Sequence, residues 1–308
     1  MFFIPEWPVP EGVNALCTNR QGGVSHAPFD GFNLAIHVGD HLEQVLVNRQ
    51  TLFHAAKLPS QPVWLDQKHT TRAIQLPYSS PHVSLDGIPV SQASISERSQ
   101  SSQQENFKDI QTTRPGQLEV ADASWTEAAG LVSVVMTADC LPILITNQSG
   151  TLVSAIHAGW KGLAEGIISQ TLASFPQTPR NQPEQLIAWI GPAISAEHFE
   201  VGEEVREQFV AKDSDNAQFF QSKQPRQSKQ RNKSQQHECP VESQENCLQD
   251  RSVKYLADLP GLAKLELQKI GVRNITLSGL CTYALADQFY SYRRSGKTGR
   301  IASLIWLD

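Results

Sequence analysis

Short apolar runs separated by polar breaks recur along the chain and predict the strands of a sheet. Six of them, rich in β-branched residues, are LVSVVMTA (131–138), LPILIT (141–146), LVSAIHA (152–158), LIAWIG (186–191), NITLSG (274–279) and RIASLIWL (300–307). Most are apolar at nearly every position, which is typical of strands covered on both faces. The runs therefore predict a sheet that is buried between other elements.

Between these runs, apolar residues three or four positions apart predict helices. The first helix is expected to have Asp40 as its N-cap, with Glu43 three residues on, and to end at about Leu58. Two further helical segments are KGLAEGIISQTLASF (161–175) and VKYLADLPGLAKLELQKIG (253–271). Strands alternating with helices predict an α/β fold whose mixed sheet is covered on both faces.

Two long segments, residues 78–118 and 211–252, lack hydrophobic periodicity. The first is rich in Ser and Gln, and the second in Gln, Lys and Ser. Such low-complexity segments bury too little apolar surface to offset the entropy lost on ordering. We therefore predict two flexible surface insertions. His237, Cys239 and Cys247 lie in the second, at a spacing that matches no zinc-finger pattern.

Composition narrows the class of protein. The chain has 308 residues, is 40% hydrophobic and carries a net charge of −5 with scattered Lys and Arg, which disfavours nucleic acid or an anionic membrane as a partner. No apolar run approaches membrane-spanning length. The five cysteines are irregularly spaced and form no disulfide framework. We expect a cytoplasmic protein with free thiols.

Three residues with metal-ligating side chains stand at the ends of predicted strands. Cys140 lies between two apolar runs, His157 near the end of the next one, and His69 in WLDQKHTT after another apolar stretch. Strand ends are where catalytic groups collect in α/β proteins. Two imidazoles and a thiolate suit zinc, and three protein ligands leave a fourth position for water.

The spacing of these residues also fits other interpretations. A cysteine on a strand is often a small buried hydrophobic residue, and a single histidine is often a hydrogen-bonded core or surface group. Alternatively, Cys140 and His157 form a nucleophile pair without a metal, in which His157 draws the proton from Cys140. The residue types alone leave these alternatives open.

A basic turn, SYRRSGKTGR (291–300), is a candidate anion site. The adjacent Arg293 and Arg294 offer bidentate hydrogen bonds to a phosphate or carboxylate, and the following glycines leave backbone amides accessible. Lys161, at the start of a predicted helix, adds another positive charge. A basic surface turn without a ligand is the simpler alternative.

Taken together, the motifs resemble the YfiH family, which has been called laccase-domain or multicopper polyphenol oxidase and also purine nucleoside phosphorylase. The motifs occur in the family's order: FNLAIHVGD, WLDQKHTT, ADASWT, TADCLPIL, AIHAGWKGL, SGLCTY, FYSYRRSGKTGR and IASLIWL. The resemblance implies a single three-layer α/β/α domain over residues 1–308, apart from the two insertions. It also implies a zinc site formed by His69, Cys140 and His157. Two departures are Lys161, where an arginine is usual, and Thr70, where a glycine is common.

Three activities compete within that family. A copper-dependent polyphenol oxidase (laccase) needs paired His-X-His ligands, and the nine histidines of this chain include no such pair. The second is a Cys–His hydrolase acting on peptidoglycan precursor peptides, with Cys140 as nucleophile. The third is a zinc-dependent purine nucleoside phosphorylase that also deaminates adenosine.

We favour the third activity, with Zn²⁺ as cofactor and Cu²⁺ as the alternative metal. Its substrates are purine nucleosides (adenosine, inosine and methylthioadenosine) and phosphate. Cys140 and His157 are then catalytic as well as metal-binding, and Asp139 is expected to orient a ligand. Lys161, Arg293 and Arg294 are the candidates for binding phosphate.

Overall fold

The computed structural model describes residues 1–76, 118–223 and 253–308. Nearly all of the first predicted insertion lies outside these ranges, as do residues 224–252 of the second with His237, Cys239 and Cys247. The described start of the second insertion is regular structure: a 3-10 helix at Ser214–Phe219 leads into a strand at Phe220–Lys223. Phe220 is buried against the main core, which accounts for the order of this stretch despite its polar composition.

The described residues form thirteen strands and six α-helices. The strands are β1 (Phe2–Phe3), β2 (Val13–Thr18), β3 (Ala73–Gln75), β4 (Ala123–Thr126), β5 (Ser133–Thr137), β6 (Leu141–Asn147), β7 (Val153–Ala158), β8 (Leu186–Ile190), β9 (Glu200–Gly202), β10 (Phe220–Lys223), β11 (Lys254–Ala257), β12 (Asn274–Leu277) and β13 (Ile301–Leu307). The helices are α1 (Leu42–Ala55), α2 (Trp160–Glu165), α3 (Ile167–Ala173), α4 (Glu203–Val210), α5 (Leu259–Ile270) and α6 (Tyr292–Ser295). Two further 3-10 helices lie at Pro179–Asn181 and Pro183–Gln185.

The strands form three sheets. A six-stranded sheet has the order β12-β8-β6-β7-β4-β3, with parallel pairs at its two edges and antiparallel pairs in the middle. A four-stranded antiparallel sheet has the order β1-β2-β13-β5, and a small antiparallel sheet the order β10-β11-β9. All six strands predicted from the apolar runs are present.

Helices cover the outer faces of two stacked sheets. The inner faces of the four- and six-stranded sheets meet through residues such as Val135 and Leu144. Leu52 of α1 packs on the outer face of the four-stranded sheet, and Ile168 of α3 on that of the six-stranded sheet. Because both faces of each sheet are covered, consecutive residues of a strand are apolar. The predicted mixed α/β fold is confirmed. Two stacked sheets lie between the helices, where the resemblance implied a single sheet layer.

Helix α1 begins later than the sequence predicts. His41 is its N-cap, and no side chain caps the helix. The prediction that Asp40 caps it is therefore wrong. The Asp40 carboxylate instead accepts hydrogen bonds from Ser25 Oγ (2.7 Å) and Asn33 Nδ2 (2.8 Å), so it holds the preceding loop together.

Two other predicted helices differ in extent. Residues 161–175 were predicted as one helix, but Gly166, at φ 96°, ends α2 and begins α3. This left-handed conformation suits glycine because it lacks a Cβ. In 253–271, residues Lys254–Ala257 pair as β11 with its two neighbours in the small sheet. The helix then begins after Asp258, whose side chain accepts from the backbone N–H of Gly261. No helix of the described ranges is long and apolar enough to cross a membrane.

Candidate metal centre

One end of the six-stranded sheet gathers the candidate ligands. β6 and β7 are antiparallel, with Leu141 opposite Ala158, so Cys140 at the start of β6 lies beside the end of β7, where His157 stands. β3 runs parallel to β4, so the segment before it, which carries His69, reaches the same end of the sheet. Sheet topology therefore explains why residues far apart in sequence meet.

The three side chains converge on one point. The ligand atoms of His69, Cys140 and His157 all lie within 4.8 Å of one another. Cys140 Sγ is 3.6 Å from His69 Nε2, and the two imidazole centroids are 4.8 Å apart. Bonds of about 2.0 Å to nitrogen and 2.3 Å to sulfur at tetrahedral angles separate sulfur from nitrogen by about 3.6 Å. The spacing and the donor types therefore fit a tetrahedral metal ion.

The centre is open on one side. His69 is exposed and Cys140 partly so, whereas only 4% of His157 is exposed. Three ligands on a half-buried site leave a coordination position that faces solvent, which is the arrangement of a catalytic metal rather than a structural one. A small molecule can therefore reach the point on which the ligands converge.

Asp122, which sequence analysis did not single out, holds His157 from behind. Its Oδ1 is 2.7 Å from His157 Nδ1, and its carboxylate is fully buried. Its backbone carbonyl also accepts from the N–H of His157 at 2.7 Å. With Nδ1 bound to the carboxylate, Nε2 is the nitrogen that remains for a metal. A carboxylate in this position fixes the tautomer and the ring orientation of a ligating histidine.

The same carboxylate also shapes the backbone around His69. It accepts from the N–H groups of Lys68 (3.3 Å), His69 (3.0 Å) and Thr70 (2.6 Å), and from Thr70 Oγ1 (2.7 Å). His69 has a φ of 59°, a left-handed conformation that is strained for a residue with a Cβ. These hydrogen bonds hold that conformation. Thr70, where the family commonly has glycine, adds the hydroxyl bond.

Gly159 provides the space in which the ligands meet. A Cβ at this position would lie 2.4 Å from His69 Cδ2, 2.8 Å from His69 Nε2 and 3.0 Å from Cys140 Sγ. Its φ of −71° is open to any residue, so glycine is required here for its size and not for its backbone freedom.

In the absence of a metal, Cys140 and His157 form an ion pair. Burial raises the pKa of Cys140, but the nearby imidazoles, chiefly His157, lower it to about 6. Burial lowers the pKa of His157, but the Cys140 thiolate and the Asp122 carboxylate raise it to about 9. The thiolate, which is the form that binds a metal or acts as a nucleophile, is therefore present at neutral pH.

The carboxylate of Asp139 contacts a neighbouring turn and not a candidate ligand side chain. It directly precedes Cys140 and has a φ of 93°. Its carboxylate accepts from Thr282 Oγ1 and from the backbone N–H of Arg293, both at 2.7 Å. It therefore fixes the turn that carries Arg293, whereas the carboxylate that contacts a candidate ligand side chain is Asp122.

The predicted phosphate-binding residues are only partly available. Arg294 Nη1 donates to the carbonyls of Thr282 and Tyr283, and its Nη2 to that of Phe289, all at 2.7 Å, so its guanidinium is engaged within the protein. These bonds use three of its five N–H donors, and the assignment of Arg294 to an anion site stays a prediction. Arg293 Nη1 donates to the carbonyl of Glu200 at 2.8 Å. Lys161 is exposed in the first turn of α2.

Comparison with known proteins places the chain in a family. Residues 14–308 match the family described as multi-copper polyphenol oxidoreductase laccase. The chain is 38% identical over 305 residues to purine nucleoside phosphorylase YfiH of Escherichia coli K12, covering 99% of this chain and 98% of that protein. It is 37% identical over 304 residues to a purine nucleoside phosphorylase of Haemophilus influenzae, with the same coverage.

A solved structure shows the same fold. NMB0706 of Neisseria meningitidis superposes with a TM-score of 0.74 at 34% sequence identity, covering 100% of this chain and 99% of that one. Sequence and structure agree over essentially the whole length. The chain therefore belongs to the YfiH family.

Proposed function

We propose that this chain is a zinc-dependent purine nucleoside phosphorylase that also deaminates adenosine. The observation that carries the proposal is the convergence of His69, Cys140 and His157 within 4.8 Å on a site open to solvent. The names of the relatives from Escherichia coli and Haemophilus influenzae support the same activity.

Zinc fits this donor set better than copper does. Two histidines and one cysteine also occur in blue-copper sites, which add a weak axial methionine. The chain has two methionines, Met1 and Met136, and both pack in the core cluster beneath α1. Neither is placed to be an axial ligand, and the chain has no His-X-His pair for a copper cluster. A three-ligand zinc site with an open position remains.

Phosphorolysis exchanges the glycosidic bond for a phosphate ester. An oxygen of phosphate forms a bond to C1′ of the ribose while the C1′–N9 bond breaks, and its electron pair leaves with the purine, which takes up a proton. Bound zinc supplies a Lewis acid and, with water, a source of hydroxide near neutral pH. Deamination replaces the 6-amino group with an oxygen from water and releases ammonia.

The protein's own contribution is to orient the centre. Asp122 fixes the ring of His157 and the backbone of His69, so the reactive groups need little reorganisation when substrate binds. Gly159 keeps the ligands close together. The same preorganised site can therefore serve both phosphorolysis and deamination.

A second candidate function has a specific observation in its favour. Without metal, the Cys140 thiolate, the His157 imidazolium and the Asp122 carboxylate form a Cys–His–Asp series, as in thiol hydrolases. In such an enzyme Cys140 would attack an amide carbonyl of a peptidoglycan precursor peptide. The two functions differ in their requirement for metal.

Product analysis tests the proposal. Purified protein of measured metal content is incubated with adenosine, with and without phosphate, and adenine, inosine and hypoxanthine are resolved. We expect phosphate-dependent adenine and about one zinc per chain, with both lost in Cys140→Ala. Both should be kept in Cys281→Ala, because the Cys281 thiol accepts from the backbone N–H groups of Ser195 and Ala284 and is not among the candidate ligands. A folded, zinc-loaded protein that yields no purine product would favour the Cys140 hydrolase instead.

A further inference from the structure

A buried arginine near the metal centre has a hydrogen-bond donor without a partner. Arg49, on α1, is 8% exposed. Its Nε donates to the carbonyl of Leu34 at 2.9 Å, and its guanidinium lies 3.8 Å from the centroid of the Trp64 ring. Its Nη2 is buried and has no hydrogen-bond partner among the residues that the structure describes. Folded proteins seldom leave a buried charged donor unpaired, and an ion or a water molecule that pairs with it is one explanation for such a group.

The guanidinium of Arg49 is also poorly compensated in charge. Burial lowers the pKa of Arg49 to about 9, which still leaves the side chain cationic at neutral pH. The Trp64 ring face and the Leu34 carbonyl fix its position but do not neutralise it. An anion that reached Nη2 would therefore gain a strong, preorganised contact.

A second arginine is anchored on the same segment of chain. The backbone N–H of Arg300 donates to Asn33 Oδ1 at 3.0 Å, one residue before the Leu34 that holds Arg49. Arg300 Nη1 donates to the carbonyls of Thr298 and Gly299, both at 3.0 Å. These bonds use one of its terminal nitrogens, so Nη2 has no partner within the described ranges.

The surroundings of these arginines are positive. Desolvation and then the charge of Arg300 lower the pKa of His37, and the charges of Lys68 and Arg49 act in the same direction. Asp66, the carboxylate that raises the pKa of His37, is already paired with Lys68 at 3.0 Å. The three cations therefore outweigh the one carboxylate that acts on His37.

One chain segment links this cationic region to the metal centre. Trp64, which packs on Arg49, and the candidate ligand His69 lie on one segment, at most about 17 Å apart for five residues of extended chain. Arg300 in turn interacts electrostatically with Cys140 and Asp139. A ligand held by the arginines would therefore lie in the same part of the molecule as one bound at the centre.

We propose that Arg49 and Arg300 form the subsite that binds inorganic phosphate. Two guanidinium groups supply the planar, multiple N–H donors that a tetrahedral oxyanion accepts. The naming of phosphate rests on the proposed phosphorylase function. Arg294 differs from these two residues, because three of its five N–H donors are already given to backbone carbonyls.

Phosphate binding without turnover is the first test. Full-length, zinc-loaded protein is titrated with sodium phosphate by calorimetry at constant ionic strength. We expect one site in the wild type and at least about a tenfold weaker Kd in Arg49→Gln and in Arg300→Gln, since each removes charge-assisted hydrogen bonds. The control is Arg206→Gln on α4, whose guanidinium lies over Tyr255 away from these contacts, and it should bind phosphate like the wild type.

A second readout separates binding from folding. Phosphate should raise the thermal midpoint of the wild type but not that of Arg49→Gln, because a ligand stabilises only a state that binds it. If Arg49→Gln does not fold, Arg49→Lys takes its place in the test. Lysine keeps the charge but lacks the planar donors, so the Kd for phosphate should also be weaker in this variant. In phosphorolysis the KM for phosphate should rise in both arginine variants, whereas Arg206→Gln should keep the wild-type value.

The outcomes distinguish this subsite from the proposed function. Phosphate binding that depends on Arg49 and Arg300, in a protein without phosphorolysis, would reject the phosphorylase and keep the subsite. Phosphorolysis with an unchanged KM for phosphate in both variants would reject the subsite and keep the phosphorylase. A wild type that does not bind phosphate would overturn the subsite.

Discussion

The Nδ1 atom of His157 lies 2.7 Å from Oδ1 of Asp122, a carboxylate that is fully enclosed by the protein. The same carboxylate accepts the backbone N–H of His69. One buried acid therefore positions two of the three candidate ligands. Asp122 therefore orders the metal centre from its buried side, away from the side that is open to solvent.

Replacing Asp122 by Asn should weaken metal binding. The amide keeps the size of the carboxylate but loses its charge, so it holds the His157 ring less firmly. We expect metal affinity to fall about 10- to 100-fold, measured by competition with a chromophoric chelator. Glu119→Gln is the control, because Glu119 pairs with Arg72 at 2.9 Å and contacts no candidate ligand. Equal affinities in the two variants would contradict this role.

Replacing Gly159 by Ala should damage the centre without unfolding the protein. The added Cβ would overlap His69 and press on Cys140, whereas the backbone conformation of Gly159 accepts alanine. We expect loss of bound metal with little change in the thermal midpoint. In Gly162→Ala, one turn along α2, the Cβ would meet the Thr70 carbonyl at 3.3 Å but no ligand atom. That variant should retain its metal, and loss of metal from both would argue against a local effect.

Metal binding should release a proton from the Cys140–His157 pair. At pH 7.5 the thiol, with a pKa of about 6, is already ionised, whereas His157, with a pKa of about 9, is protonated and must lose its proton to bind metal. We expect about one proton released, and affinity rising about tenfold per pH unit between pH 6 and 9. Calorimetry in buffers of different ionisation enthalpy measures this release. Affinity that is independent of pH in this range would be inconsistent with the ion pair.

Glu266 should make the fold less stable as pH rises. Burial raises the pKa of Glu266 to about 7, while the N–H of Ser169 and the charge of Lys212 only partly offset this. The pKa of Glu266 in the unfolded chain is about 4.3. Between that pH and pH 7 the folded state keeps a proton that the unfolded state releases. The free energy of unfolding therefore falls as pH rises, by up to about 3 kcal/mol.

Glu266→Gln should remove this dependence. The variant should be more stable than the wild type at pH 8, by about 2 kcal/mol, and similar to it at pH 5. Urea unfolding at the two pH values measures the difference. Glu207→Gln, at an exposed position on α4, should change stability at neither pH. If the wild type instead gained stability relative to Glu266→Gln between pH 5 and pH 8, the raised pKa of Glu266 would be contradicted.

The long apolar strands could be predicted because burial on both faces leaves a continuous signal in the sequence. β6 and β7 are examples, with every residue buried. The short central strand β11 of the small sheet could not be recognised, because its Lys254 is exposed, its pairing partners are distant in sequence, and its residues run directly into the spacing of α5. Similarly, nothing local shows that Gly166 divides one helical stripe into two helices.

The candidate ligands could be located from the sequence, but the groups that support them could not. Cys140 and His157 stand at strand ends, where chemistry is expected. Asp122 is a single acid before a short strand, and its partner His157 is 35 positions away. Its one signal is a charged residue inside the otherwise apolar and hydroxylic stretch VADASWT. The unpartnered donor of Arg49 depends on packing that no local pattern records.

Zinc reconstitution with product analysis tests directly whether this chain is a zinc-dependent phosphorylase. The protein is stripped with a chelator, reloaded with known amounts of zinc, and incubated with adenosine and phosphate while adenine is measured. We expect activity that disappears on stripping, returns in proportion to zinc, and saturates at about one zinc per chain. Adenine formation that persists after complete removal of metal would contradict a zinc-dependent phosphorylase. So would the absence of adenine formation from a folded protein that is fully loaded with zinc.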